Sequence, residues 1–325
     1  MNNHAFFFGD NMVTIVEKII WIFLIIGIGY FLCKKNFVPY SCNKYLINIL
    51  LKVTTPCMIF QALATRELTD GTLNITLLTL AGSLVFFVVI DLIGLGITKG
   101  FSLKDVKDRT VYAALMTGVN TGFMGFPITK AIFGDEMFYL IVIQNVGLAF
   151  YLYLMMPLQF SLDNETRPSL GKSLKLIANP CMIGTALGVI FLFAELGLPA
   201  GMNGGIKMIG DMTTPLSMIV VGVELANSDL VKILKNRYLR ITGYFAMIGA
   251  PAITLLAVYW LPMDEMVKAI LVFAAAFPSA VVTVAMAAQE KKNSLLAAEG
   301  VALTSLMSLV TIPLWAMIVS NLFNI

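Results

Sequence analysis

Apolar residues run in ten blocks, at 15–33, 45–64, 75–98, 110–133, 137–160, 176–197, 206–225, 239–261, 267–288 and 295–321, and short stretches carrying charges and turn formers separate them. A helix needs roughly 20 such residues to cross a bilayer. The pattern therefore predicts an all-α polytopic membrane protein with ten transmembrane helices. The first block follows a tail holding Asp10, Glu17 and Lys18, with no small-residue cleavage site after it, so it reads as a retained helix. Over the 325 residues, 58% are hydrophobic and 13% charged, which leaves no material for a large soluble domain or a nucleic-acid module.

Basic residues orient the segments. The odd-numbered connections hold 16 of the 22 lysines and arginines, among them Lys34, Lys35, Lys99, Lys104, Arg167, Lys172, Lys175 and Arg240. Even connections and tails hold only Lys18, Arg66, Lys130, Lys207 and Lys268. The positive-inside rule then makes the odd connections cytoplasmic and leaves both termini outside. The polar stretch 161–175 divides the chain into halves, 1–160 and 176–325, each with five segments. Because five is odd, halves of one fold enter the membrane in opposite senses.

Two landmarks recur in those halves. Thr54-Thr55-Pro56 in the second segment returns as Thr213-Thr214-Pro215 in the seventh, and Pro127 in the fourth has a counterpart in Pro278 in the ninth. Inverted repeats with interrupted helices at matching places mark a secondary transporter with its site near the midplane; the plainer account is that membrane helices commonly contain proline. Pro127 is expected to free the carbonyl of Phe123, with Gly122 and Gly125 letting the chain unwind; Pro278 is expected to free that of Ala274. Polar backbone released at that depth must be covered by protein or line a wet cavity. Helix N-termini meeting there suit a carboxylate without any arginine. Asn120 and Thr121 would contact a ligand, satisfy the loose backbone, or do both.

The stretch from Asn120 to Pro127, Asn-Thr-Gly-Phe-Met-Gly-Phe-Pro, resembles the fourth-helix pattern of the auxin efflux carrier family, which includes plant PIN-FORMED carriers and bacterial malate or malonate permeases. The ninth segment around Pro278, Ser279 and Val281 and the tenth around Thr304 and Pro313 are similar to that family too. The resemblance implies two inverted five-helix repeats with the fourth and ninth helices crossing. It further implies a scaffold of segments 1, 2, 6 and 7, able to form a homodimer, and a transport domain of 3–5 and 8–10 moving as an elevator. It maps the site onto Asn120, Pro127, Pro278 and Gln144. The short central connection, and Ser279-Ala280 where plant carriers have Gln-Gly, turn the expectation from auxin to a small metabolic carboxylate such as malate or malonate, moved across the plasma membrane and exported.

Adjacent amides Gln144 and Asn145 either tie helices together or line the pocket, and with about 100° between helical neighbours one of them faces the site. Lys52 and Asp91 each lie eight residues from a cytoplasmic helix end, about 12 Å deep. They pair to gate or couple the cycle, or else Lys52 snorkels and Asp91 is protonated or hydrated by itself. Glu224 and Glu299 read as solvated helix ends. The one histidine, His4, excludes a histidine-based metal site, proton relay or triad within the membrane. Four scattered cysteines read as free thiols, and without enzymatic motifs no cofactor or enzyme activity is expected. The alternatives are a sodium- or proton-coupled carrier of related architecture, and a channel or receptor.

Overall fold

A computed structural model describes residues 3–103, 105–162, 178–227 and 230–325. Most of the central connection 161–175, with Arg167, Lys172 and Lys175, lies outside the described residues, as do Lys104 and the side chains of His4, Asp10 and Lys232. The described chain is helical: α1 (Asn3–Lys34), α2 (Tyr40–Ala64), α3 (Thr72–Lys99), α4 (Asp108–Thr117), α5 (Thr121–Ser161), α6 (Pro180–Phe193), α7 (Ala200–Asn227), α8 (Leu230–Lys235), α9 (Arg237–Tyr259), α10 (Glu265–Ala275), α11 (Val282–Gln289) and α12 (Ser294–Phe323).

Among the described residues seven helices are long and apolar enough to cross a bilayer: the Val16–Lys34 part of α1, then α2, α3, α5, α7, α9 and α12. The shorter α6 is also apolar. Their polarity runs opposite to that of a soluble helix. α3 exposes Leu77, Val85 and Leu92 and buries Thr79, Ser83, Asp91 and Thr98, as expected where lipid rather than water covers the surface. At Gly134, with φ 79°, α5 turns, which separates the fourth and fifth apolar blocks where the sequence places the boundary.

Prolines shape these helices in a recurring way. Widened π turns at Leu50–Thr54, Thr121–Gly125, Tyr151–Met155 and Phe245–Gly249 each precede a proline by two residues: Pro56, Pro127, Pro157 and Pro251. A proline ring crowds the carbonyl four residues back, and a widened turn relieves that contact. The carbonyl four before Pro251, that of Met247, accepts instead from Trp315 Nε1 at 3.0 Å. In α7 the matching irregularity falls at Met212, directly before Thr213-Thr214-Pro215.

Glycine allows the closest helix contacts. A methyl at Gly222 of α7 would strike the backbone of Ile26 and Tyr30 in α1, and one at Gly29 would strike Ile219. Gly184 of α6 abuts the Pro56 carbonyl of α2 in the same manner. Gly222→Ala is therefore expected to destabilise the protein by about 1–3 kcal/mol, whereas Gly204→Ala, in open space, loses nothing. Thermal unfolding of the two purified variants in detergent checks this.

Candidate functional site

Two helix interruptions meet inside the protein. α4 stops at Thr117, Gly118 is extended (φ −77°, ψ 105°), and α5 begins at Thr121. α10 stops at Ala275, and α11 begins at Val282. Between them Val119 and Ser279 form an isolated antiparallel bridge. Asn120 N donates to the Pro278 carbonyl, and Ala280 N donates to that of Gly118, both at 2.7 Å. Each break thus supplies the partners that the other lacks.

The first break lies seven residues before the proline expected to cause it. Pro127 sits two residues after the π turn, which accommodates its ring and lets α5 continue through it. Pro278 lies within its own break, and its carbonyl is one acceptor of the bridge.

Asn120 caps α5. Its Oδ1 accepts from Phe123 N at 3.2 Å, and its carbonyl accepts from Met124 and Gly125. The residue is 5% exposed, and its Nδ2 has no hydrogen-bond partner among the described residues. Thr121 Oγ1 donates to Asn145 Oδ1 at 2.6 Å, and the Asn145 Nδ2 has no partner among the described residues. Two cavities share Asn120, Phe123 and Val281 in their walls. One, of about 230 Å³, also takes in Gly122, Asn145, Val282 and Lys52. The other, of about 470 Å³, takes in Val220, Glu224, Glu299 and Ser305. The amides of Gly122 and Val282 belong to first helical turns, which have no intrahelical acceptor.

Of the residues singled out from the sequence, Asn120, Gly122, Asn145, Val281 and Lys52 border the smaller cavity. Thr121, Pro127, Gln144, Pro278 and Ser279 line neither of the two. Ser279 is turned inward: its Oγ donates to the Leu115 carbonyl at 2.6 Å, and its N donates to Thr304 Oγ1 at 3.1 Å. Gln144 is 1% exposed with both amide atoms unpartnered, so of the adjacent amides it is Asn145 that reaches the cavity. Asp91 accepts from Tyr151 Oη at 3.2 Å and Thr117 Oγ1 at 3.4 Å, and no ion pair joins it to Lys52 in this conformation.

Glu224 and Glu299, read from the sequence as solvated helix ends, are half-buried. Both line the larger cavity with Asn120, and Glu224 accepts from Asn43 Nδ2 at 2.7 Å and Tyr40 Oη at 3.2 Å. Their convergence comes from α7 and α12, a tertiary relation with no local sequence signal.

A model described as a membrane transport protein matches residues 14–316, nearly the whole chain. The chain belongs to that family, the auxin efflux carrier or membrane transport protein family. Two relatives are similar along almost their entire length. An uncharacterized transporter of Methanothermobacter thermautotrophicus is 24% identical over 311 residues, covering 93% of this chain and 97% of the relative. One of Methanocaldococcus jannaschii is 24% identical over 315 residues, covering 94% and 99%. This is therefore a multi-pass membrane transporter and not an enzyme, and its family implies a transported substrate.

The hydrogen bonds around Ser279 give a direct test of the paired breaks. Thr304→Val keeps the shape but leaves Ser279 N buried without its acceptor, so a loss of about 1–3 kcal/mol is expected. Thermal unfolding of that variant beside Ser305→Ala, whose hydroxyl has no hydrogen-bond partner among the described residues, checks it.

Proposed function

We propose that this transporter is a secondary carrier moving a small organic carboxylate, with the anion bound where the interruptions between α4 and α5 and between α10 and α11 meet. The observation that carries the reading is Asn120: a buried amide with a free Nδ2, on a cavity wall, beside first-turn N–H groups. A carboxylate accepts from such groups, and the helix dipole favours its charge.

The finer architecture belongs to the same proposal. Ten crossings form two inverted five-helix repeats, 1–160 and 176–325, in which the broken fourth and ninth segments cross. α1, α2, α6 and α7 serve as a scaffold, with capacity to dimerise, and α3–α5 with α8–α12 move as the elevator. Glycine contacts of α1 with α7, and of α2 with α6, support a scaffold of those four helices. Both termini face outside, and the carrier works as an exporter in the plasma membrane. The larger cavity is walled by Tyr40, Asn227 and Leu295, which adjoin odd-numbered connections, so this conformation is open to the cytoplasmic side.

A second reading, a proton- or sodium-coupled carrier of the same design, is favoured by Asp91, a buried carboxylate held only by hydroxyls. Dependence of uptake on an imposed proton or sodium gradient separates it from a carrier driven by membrane potential alone.

Asn120→Ala is expected to lower carboxylate uptake into proteoliposomes by about tenfold or more, the loss of one buried hydrogen bond to a charged group, while the thermal stability of the folded protein falls by only about 1 kcal/mol, the contribution of one helix cap. Unaltered uptake and affinity would count against the site.

A further inference from the structure

We propose that the substrate carries an ammonium group beside its carboxylate, held by Glu224 and Glu299, so that the carrier takes zwitterionic amino acids with apolar side chains. The inference rests on the carboxylate reading above and names the substrate class of that same site.

Asn120 borders two cavities, and the larger, of about 470 Å³, has the wrong charge for a bare anion. Its wall holds Glu224 of α7 and Glu299 of α12, and among the described residues lining it there is no lysine, arginine or histidine. A carboxylate alone at Asn120 faces two like charges across a confined, largely apolar space, where fields are focused rather than screened. An ammonium on the same molecule turns that repulsion into attraction.

The chain fixes the order of these groups. At the break, Asn120 is 5% exposed and its Nδ2 has no partner among the described residues, while the amide of Val281, the cap of α11, has no intrahelical acceptor. Both residues border the larger cavity. Phe123, whose amide Asn120 caps, packs in one buried cluster with Leu50 and with Val220 of α7. Glu224 follows Val220 by four residues, about 6 Å along the helix, and Glu299 precedes Thr304, the acceptor of the Ser279 amide, by five, about 7.5 Å. Both steps lead from the break toward the odd-numbered connections, so the two glutamates stand on the same side of the anion-binding donors, a turn or slightly more away.

Tyr40 Oη and Asn43 Nδ2 hold the Glu224 carboxylate at 3.2 and 2.7 Å; both donors are neutral, so they orient it without cancelling its charge. Phe123, Val221, Leu225, Val281 and Val301 contribute apolar wall. An amino acid matches this order, with its carboxylate at Asn120 and Val281, its ammonium toward Glu224 and Glu299, and an apolar side chain against the remaining wall. A dicarboxylate sets its second charge against the glutamates.

The test titrates the purified full-length protein calorimetrically at pH 7.5 with acids matched but for the amino group: leucine against 4-methylpentanoate and alanine against propionate. The wild type is expected to bind each amino acid at least about tenfold more tightly than its deaminated partner, a difference of one ion pair. Glu224→Gln is expected to weaken leucine binding by about tenfold and, with a repelling charge removed, to tighten that of 4-methylpentanoate, whereas a merely damaged protein weakens both. Glu299→Gln is expected to act in the same direction, and it leaves the Tyr40 and Asn43 contacts intact. Asn120→Ala is expected to weaken both acids together. A wild type that binds the deaminated acids as tightly as the amino acids, or glutamine variants that both keep the preference, overturns the ammonium site and leaves the carboxylate reading standing. If no member of either pair binds, both fall.

Discussion

Two helices that end inside an apolar medium must find partners for their terminal amides and carbonyls, and the rest of the site depends on how this chain meets that demand. The bridge from Asn120 N to the Pro278 carbonyl and from Ala280 N to the Gly118 carbonyl joins residues more than 150 positions apart in the chain. An unsatisfied backbone group in hydrocarbon costs several kcal/mol, so neither break is tolerable without the other. Ser279, Thr304 and the Leu115 carbonyl complete the pattern on the protein side. What remains on the cavity side is the Asn120 Nδ2 and the opening turn of α5. In the proposed carrier, stability and ligand binding thus draw on different atoms of the same few residues.

Apart from Pro278, which lies within its break, proline prepares the surrounding helices for this arrangement without itself being the break. Each of the four π turns leads into a proline, and each brings an extra residue into its turn. In α2 the consequence is to set Lys52 at the cavity; in α5, to let Asn120 cap a turn whose next amide bonds are five residues long. In α9 the freed Met247 carbonyl anchors Trp315 of α12. One covalent peculiarity therefore serves packing in one helix and shapes a cavity wall in another.

Much of this is legible in the amino-acid sequence. The hydropathy blocks locate the seven helices that are long and apolar enough to cross a bilayer among the described residues, and the boundary at 133–137 coincides with Gly134 because only glycine takes φ 79° without strain. Asn120 stands out because an amide among glycines at membrane depth has few purposes. The position of the first break is less legible. Proline is taken as the breaker, yet α5 runs through Pro127 by way of a π turn, and the extended Gly118–Asn120 stretch is stabilised by a partner that no local pattern reveals. Likewise the pair Gln144-Asn145 announces that one amide faces the site, but Thr121 decides which. Lys52 and Asp91 match in depth along their helices, and depth does not determine the rotation that sends one to the cavity and the other to Tyr151.

The central claim is that the paired breaks hold the anion. The most direct measurement is a crystal structure of the purified protein with a bromine-substituted small carboxylate, read by anomalous scattering. The account predicts a bromine peak in the cavity bounded by Asn120, Asn145 and Val281. A peak confined instead to the charged cavity of about 790 Å³ around Arg66, Lys130 and Lys207 would contradict it.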